Sequence, residues 1–357
     1  MKKFKNIMLI ILTFFFIVIV GCCGIYNYML KPTSKESKVV EIEIPKNTSI
    51  KQIATILEDN HLIKNKPVFL LYVKIYNATD LKAGYYDLDE NMGVKKIVEV
   101  LKKGSKKNPN EIQITFQEGI NMRKIAEIIG NKTNNSYDDV ISKTNDSNYL
   151  DSLIEKYWFI TESVKNSELY YGLEGYLFPD TYRFDSKDVS IETIFEKMLD
   201  EMNNVLTPYK EKIEKQDLSI HQVLTLASMI EKEAARDVDR ANVSSVFYNR
   251  IKANMTLGSD VTTRYALKID DAKKTISNFQ VKSPYNTRLT DGSMNGKLPV
   301  GPICTVSKES IDAAINPSDT DYLYFIANIE TLETFFYKDY SAFLTKKNEL
   351  AAVNKGF

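Results

Sequence analysis

Ser219-Ile-His-Gln-Val-Leu-Thr-Leu-Ala-Ser-Met-Ile-Glu231-Lys-Glu233-Ala-Ala-Arg236 is the stretch on which the reading of this 357-residue chain turns. Val223, Leu226, Ala227, Ile230 and Ala234 recur at helical spacing and predict one buried face. At about 100° per residue, with Val223 at zero, these five side chains fall within about 60° of one line. Glu231 then stands about 80° to one side and Glu233 about 80° to the other. The two acids sit at opposite edges of the buried face and do not converge on one bond. One of the two can be half-buried while the other is solvated or paired, and Leu224 and Ala227, neighbours of Glu231 on the helix surface, make it a candidate to lose water. A half-buried carboxyl can hold its proton near neutrality and act as a general acid. The plainer reading of Glu-Lys-Glu on a helix is a solvated flank, with the acids paired to Arg236 or Lys232.

The rest of the composition narrows the chemistry. His61 and His221 are the two histidines, far apart in sequence. They rule out a zinc site of several histidines and disfavour a Ser-His-Asp triad, which leaves proton transfer to carboxylates. The chain has 47 basic and 47 acidic side chains. Lys2, Lys3 and Lys5 fall in residues 1–30, which hold no acid, so the remainder carries 44 basic against 47 acidic groups, a net of −3. A slightly acidic body is a poor phosphate binder, and no nucleic-acid partner is expected. There is no P-loop, no GxGxxG and no metal-ligand spacing, so neither metal nor cofactor is expected.

The amino terminus reads as an anchor. Ile7 to Val20 is apolar apart from Thr13, and the run continues through Cys22 and Cys23 to Ile25. About 19 residues at 1.5 Å each reach roughly 28 Å, near the hydrocarbon thickness. The three preceding lysines place Met1 in the cytoplasm and the bulk outside. Ile19-Val20-Gly21-Cys22 also resembles a bacterial lipobox, so a lipoprotein anchored at Cys22 is the alternative. Cys304 is the one cysteine beyond the anchor, so no disulfide is expected there, and a buried thiol is the expected state.

Residues 1–30 thus form tip and anchor, and 31–39 read as a polar linker. Residues 40–130 contain a repeat. Ile42–Ala54 aligns without gaps on Ile114–Ala126, an offset of 72 positions, each copy reading strand, turn, helix. The pattern suggests two small α/β modules of the LysM wall-binding kind, or a recurrent unit with no glycan affinity. Residues 131–155 are polar and read as a connector. Residues 156–357, richer in aromatics and longer helices, form the third part. The expected fold class is α+β.

Several ordered motifs carry a family resemblance. Leu226-Ala-Ser-Met-Ile-Glu231-Lys-Glu-Ala234 resembles the signature helix of the YceG-like family of endolytic murein transglycosylases, also called MltG. Glu174-Gly-Tyr-Leu-Phe-Pro-Asp-Thr-Tyr182 resembles its second motif. Val243–Arg250 and Leu257-Gly-Ser-Asp260 resemble the stretch after the signature helix. Ser283–Thr287, Leu298–Cys304, Ala313–Pro317 and Asp321–Phe325 resemble later blocks, in family order. Two positions depart from the pattern: Asp260-Val261 stands where the family has Asp-Pro, and Ala342-Phe343 where it has an acid and a histidine.

The resemblance implies a membrane anchor, a LysM-like region and a catalytic domain at 156–357. It implies a lyase that cuts between MurNAc and GlcNAc without water. One glutamate protonates the glycosidic oxygen, then acts as base for the MurNAc C6 hydroxyl, which closes a 1,6-anhydro ring. It assigns that role to Glu231. Glu174, Tyr176, Glu233, Asp260, Asn286 and Thr287 are the supporting or substrate-binding candidates: Glu174 to orient Glu231 or touch sugar, Tyr176 to stack on a pyranose, Asn286 and Thr287 to hydrogen-bond it. Peptidoglycan glycan strands and the bilayer are the implied partners, with penicillin-binding proteins of the wall-synthesis machinery, and termination of nascent strands the implied role. The competing functions are a hydrolytic muramidase using Glu174 or Asp260 as second acid, and a non-catalytic wall-binding scaffold.

Overall fold

Capping residues set where the helices of this chain begin. Ser49 accepts from Gln52 N–H while the Gln52 side chain returns to Ser49, a capping box that starts one helix, and Ser219 and Gln222 repeat the device. Asn121, aligned with Ser49 in the internal repeat, caps with its own side chain. A computed structural model describes residues 2–106, 108–271 and 274–354. Met1 and residues 355–357, the ends of the expected ranges, lie outside the described residues.

The chain divides into two compact units, with the boundary between Glu111 and Ile112. The first unit opens with α1 (Lys2–Met29), whose side chains from Phe4 through Ile25 are exposed. There follow β1 (Val39–Ile44), α2 (Ile50–Asp59), α3 (Lys66–Ile75), β2 (Gly84–Asp89) and α4 (Val94–Lys103). β1 and β2 pair antiparallel, Val39 opposite Asp89 and Ile44 opposite Gly84. Their inward residues Ile42, Ile44, Tyr86 and Leu88 close over Ile53, Leu57, Phe69 and Ile97 in a separate core. Residues 31–39 are fastened rather than free: Thr33 and Ser34 N–H both donate to Glu90 O at 3.1 Å, and Lys38 N–H to Asp89 Oδ1 at 3.0 Å.

The second unit holds β3 (Ile112–Thr115), α5 (Met122–Lys132), α6 (Tyr137–Lys143), α7 (Ser147–Lys156), β4 (Thr181–Phe184), α8 (Ile191–Leu206) and α9 (Lys210–Lys215). It continues through α10 (Ile220–Glu233), α11 (Arg240–Lys252), α12 (Asp260–Ala266), α13 (Lys308–Ile315), β5 (Tyr324–Ala327), β6 (Thr334–Tyr337) and α14 (Tyr340–Leu350). β3 pairs antiparallel with β4, and β5 with β6. The class is α+β, as the sequence predicts.

Two expected boundaries move. Both repeat copies fold as strand, turn and helix, yet the second belongs to the second unit. Its Ile114, Phe116, Met122, Ile125 and Ala126 are buried in that unit's core, and β3 finds its partner in β4. Strand pairing across the chain outweighs the local similarity, so residues 40–130 do not form one region of two modules. Residues 131–155 are not a loose connector either. α6 and α7 bury Val140, Tyr149, Leu150 and Leu153 in the same core.

α10 is central. Every residue from Ile220 to Ile230 except Gln222 is buried, so the predicted one-sided stripe is a helix enclosed on all sides. It packs against α11, α12 and α13. The segment Val300–Ser307 runs along it: Ile303 N–H donates to Ser228 Oγ at 3.0 Å, and Cys304 Sγ–H to Ser228 O at 3.4 Å. Burial pushes the Cys304 thiol well above its ordinary pKa, which keeps it a neutral core group.

Candidate active site

Glu231 lies in the last turn of α10, and its side chain is only 6% exposed. Three donors meet on one of its oxygens. Ser307 gives Oε2 its backbone N–H at 3.0 Å and its hydroxyl at 2.5 Å, and Arg240 gives Nη1 at 3.2 Å. Among the described residues none donates to Oε1. Ser307 is held in turn as the N-cap of α13, accepting from Ser310 N–H at 3.1 Å. Arg240, at the start of α11, is buried. It also donates Nη1 to Ser310 Oγ and Nε to Asp237 Oδ1. The carboxylate form of Glu231 thus has a fixed counter-charge and fixed donors on one side and an unoccupied oxygen on the other.

Glu233 turns the other way, as the helical projection predicts. Its Oε1 accepts from Ser259 Oγ at 2.6 Å, and burial pushes its carboxyl above the ordinary range. Ser259 N-caps α12 and donates its N–H to Thr287 Oγ1 at 3.1 Å. Thr287 is in contact with Thr262 Oγ1 at 2.9 Å, and Asn286 Oδ1 accepts from Thr263 Oγ1 at 2.7 Å. Asn286 Nδ2 donates to Phe279 O and Val281 O. Asp260 forms an ion pair with Arg288. Glu233, Asp260, Asn286 and Thr287 therefore come together around α12, apart from the Glu231 carboxyl.

These placements correct several expectations. Asn286 and Thr287 are fully buried and satisfied within the protein, so they brace a loop and offer no group to a sugar. Tyr176 is likewise fully buried. Its hydroxyl meets His221 Nδ1 at 2.7 Å, while His221 Nε2 meets Val300 O at 2.9 Å. A carbonyl accepts only, so Nε2 carries the proton and Nδ1 accepts from the tyrosine. Glu174 does not reach Glu231. It is 1% exposed and caps the start of α5, both oxygens accepting Met122 N–H at 3.0 Å and one accepting Tyr265 OH at 2.8 Å. Burial outweighs those donors and lifts its pKa to about 7.

Sequence reasoning missed Arg240 and Ser307. The N-cap pattern at Ser307, before a short helix, is visible in sequence, but nothing there links it to Glu231. A further neighbour is the turn Gln117–Ile120, clasped to Thr305. Gly119 N–H donates to Thr305 O at 3.0 Å, Thr305 N–H to Ile120 O at 2.8 Å, and Thr305 Oγ1 to Gln117 O at 3.0 Å. Among the described residues no group of three or more His, Cys, Asp or Glu is placed to hold a metal ion.

The fold and this site define a two-unit α+β protein that opens with an apolar helix and holds one clamped glutamate at the end of an enclosed helix. The sequence profile of the YceG-like family matches residues 42–349, and the chain belongs to that family. An endolytic murein transglycosylase of Bacillus subtilis strain 168 is 36% identical over 341 residues, 93% of each protein. One from Streptococcus pneumoniae strain D39 is 32% identical over 342 residues, 90% of this chain and 61% of its own length. The crystal structure of a YceG-like protein from Listeria monocytogenes superposes with a TM-score of 0.62 at 37% identity, covering 87% of this chain and all of that one.

Proposed function

We propose that this chain is an endolytic murein transglycosylase, a lyase that cuts the MurNAc–GlcNAc bond inside peptidoglycan strands with Glu231 as acid and then base. The observation that carries the reading is the asymmetry of the Glu231 carboxyl, one oxygen held by Ser307 and Arg240 and the other unclaimed. The relatives named as endolytic murein transglycosylases, one matched along 93% of its length, support the reaction class.

The chemistry follows from that asymmetry. Oε1, protonated, gives its proton to the glycosidic oxygen as the bond to C1 breaks. The carboxylate left behind is met by Arg240 and the Ser307 donors. It then takes the proton of the MurNAc C6 hydroxyl, whose oxygen bonds to C1 and closes the anhydro ring. The nucleophile belongs to the substrate, so one protein carboxyl suffices, where retaining and inverting hydrolases use two. The burial of Glu174 and the pairing of Asp260 with Arg288 favour the lyase over the muramidase. The test is digestion of purified glycan strands by the full chain in detergent, read by mass spectrometry. Anhydro-MurNAc ends are expected, and Glu231→Gln should abolish them. Reducing ends alone would overturn the reaction class, and an active variant would overturn the assignment of Glu231.

The same reading places the protein at a bacterial cell membrane as a single-pass protein. α1 runs unbroken through Cys22 and Cys23, and its most apolar 18-residue stretch has a mean hydropathy of 2.9, long and apolar enough to span a bilayer, with a lipoprotein anchored at Cys22 the alternative. Lys2, Lys3 and Lys5 favour a cytoplasmic start and a catalytic unit outside. The order β1-α2-α3-β2 supports one LysM-like module. Partnership with penicillin-binding proteins and termination of growing strands belong to the same proposal.

A further inference from the structure

Glu118 sits on the turn clasped to Thr305, two residues before Ser307. The turn has little freedom. Besides the Thr305 contacts, Ile120 N–H donates to Thr305 Oγ1 at 3.1 Å and Lys232 Nζ donates to Gly119 O at 3.2 Å. Gly119 has φ +70°, and a Cβ built on it would lie 3.9 Å from Glu231 Cγ and 3.7 Å from Lys232 Nζ. The backbone beside Glu118 therefore lies next to the Glu231 side chain, and it is the left-handed φ there that favours glycine.

The Glu118 side chain has no hydrogen bond or ion pair among the described residues, and it is exposed. The nearby cations are already engaged. Arg240 serves Glu231, Asp237 and Ser310, and Lys232 reaches Gly119 O. Glu231 on α10, Glu309 on α13 and Asp237 before α11 share its sign, while Arg240 opposes them and the Lys232 ammonium rests on the carbonyl of the next residue, Gly119. Desolvation and these like charges push its carboxyl upward. An exposed acid beside the Glu231 carboxyl, claimed by no group among the described residues, is available to a ligand.

We propose that Glu118 is a second substrate-contacting residue of the Glu231 site, its carboxyl accepting hydrogen bonds from sugar hydroxyls beside the scissile bond. The inference rests on the transglycosylase reading but is tested apart from it. In the Glu231→Gln background, used to hold strands uncut, glycan-strand affinity of the full chain in detergent should fall at least tenfold on adding Glu118→Ala. In the otherwise native chain, Glu118→Ala should lower kcat/KM at least tenfold, with Glu118→Gln retaining more than the alanine variant. The thermal midpoint should stay level or rise, because like-charge repulsion is relieved. Glu330→Gln, on the exposed turn between β5 and β6, should change neither readout. Unchanged binding and kcat/KM in Glu118→Ala would overturn the proposal, as would a loss matched by a lower midpoint. A native chain that binds strands through Glu118 yet yields no anhydro ends would overturn the reaction class and leave this contact standing.

Discussion

Glu174 should make the second unit lose stability as pH rises through neutrality. Its carboxyl is buried, and its pKa stands near 7 where an ordinary glutamate has 4.5. Between those values the folded chain holds a proton that the unfolded chain releases. The folded state binds more protons, so stability falls with rising pH across that window. At about 1.4 kcal/mol per pH unit, the whole window is worth about 3 kcal/mol. Glu174→Gln removes the titration and keeps the shape. Its amide oxygen still accepts Met122 N–H, and its NH2 can donate to the Tyr265 hydroxyl once that hydroxyl turns. The assay is urea unfolding at steps from pH 5 to 8, followed by Trp158, the one tryptophan, which lies in the same unit as Glu174. Other titrating groups act alike in both proteins, so the difference isolates Glu174. The two should agree within about 1 kcal/mol at pH 5, and the variant should lead by about 2–3 kcal/mol at pH 8. Parallel curves would refute burial as the dominant influence on this carboxyl.

Three further outcomes follow from the packing. Arg240→Met should cost about 3 kcal/mol of stability by stranding the buried Glu231 carboxylate, and should lower kcat for strand cleavage; an unchanged kcat would count against the clamp. Gly175→Ala should destabilise by at least about 2 kcal/mol in thermal unfolding, because Gly175 has φ +76° and a Cβ there would lie 2.3 Å from Pro302 Cβ. Asn286→Ala should lower the melting temperature by several degrees, a cost of about 2 kcal/mol, while KM for glycan stays within twofold; a KM rise without destabilisation would restore it as a sugar contact.

The parts of the structure legible in sequence are those fixed by local chemistry. The strand-turn-helix copies and the divergence of Glu231 from Glu233 follow from residue spacing. What stayed hidden depends on distant partners. Nothing near Ile114 says that its strand pairs with Thr181–Phe184 and so joins the second unit. Tyr176, Asn286 and Thr287 carry polar groups that suit a sugar equally well in sequence. Only the fold reveals that His221, Thr262, Thr263 and two backbone carbonyls claim them. The Glu231 clamp was invisible for the same reason.

That clamp has a consequence for the timing of activity. Ser307 lies 76 positions beyond Glu231 in the chain. A polypeptide made from its amino terminus presents its glutamate long before it presents the donors that hold it. Loop closure over such a separation is entropically costly and comes only with the docking of the surrounding helices. A nascent, nicked or misfolded copy would carry the acid without its geometry. An enzyme that opens the cell's own wall would thereby be silent until its folding is complete.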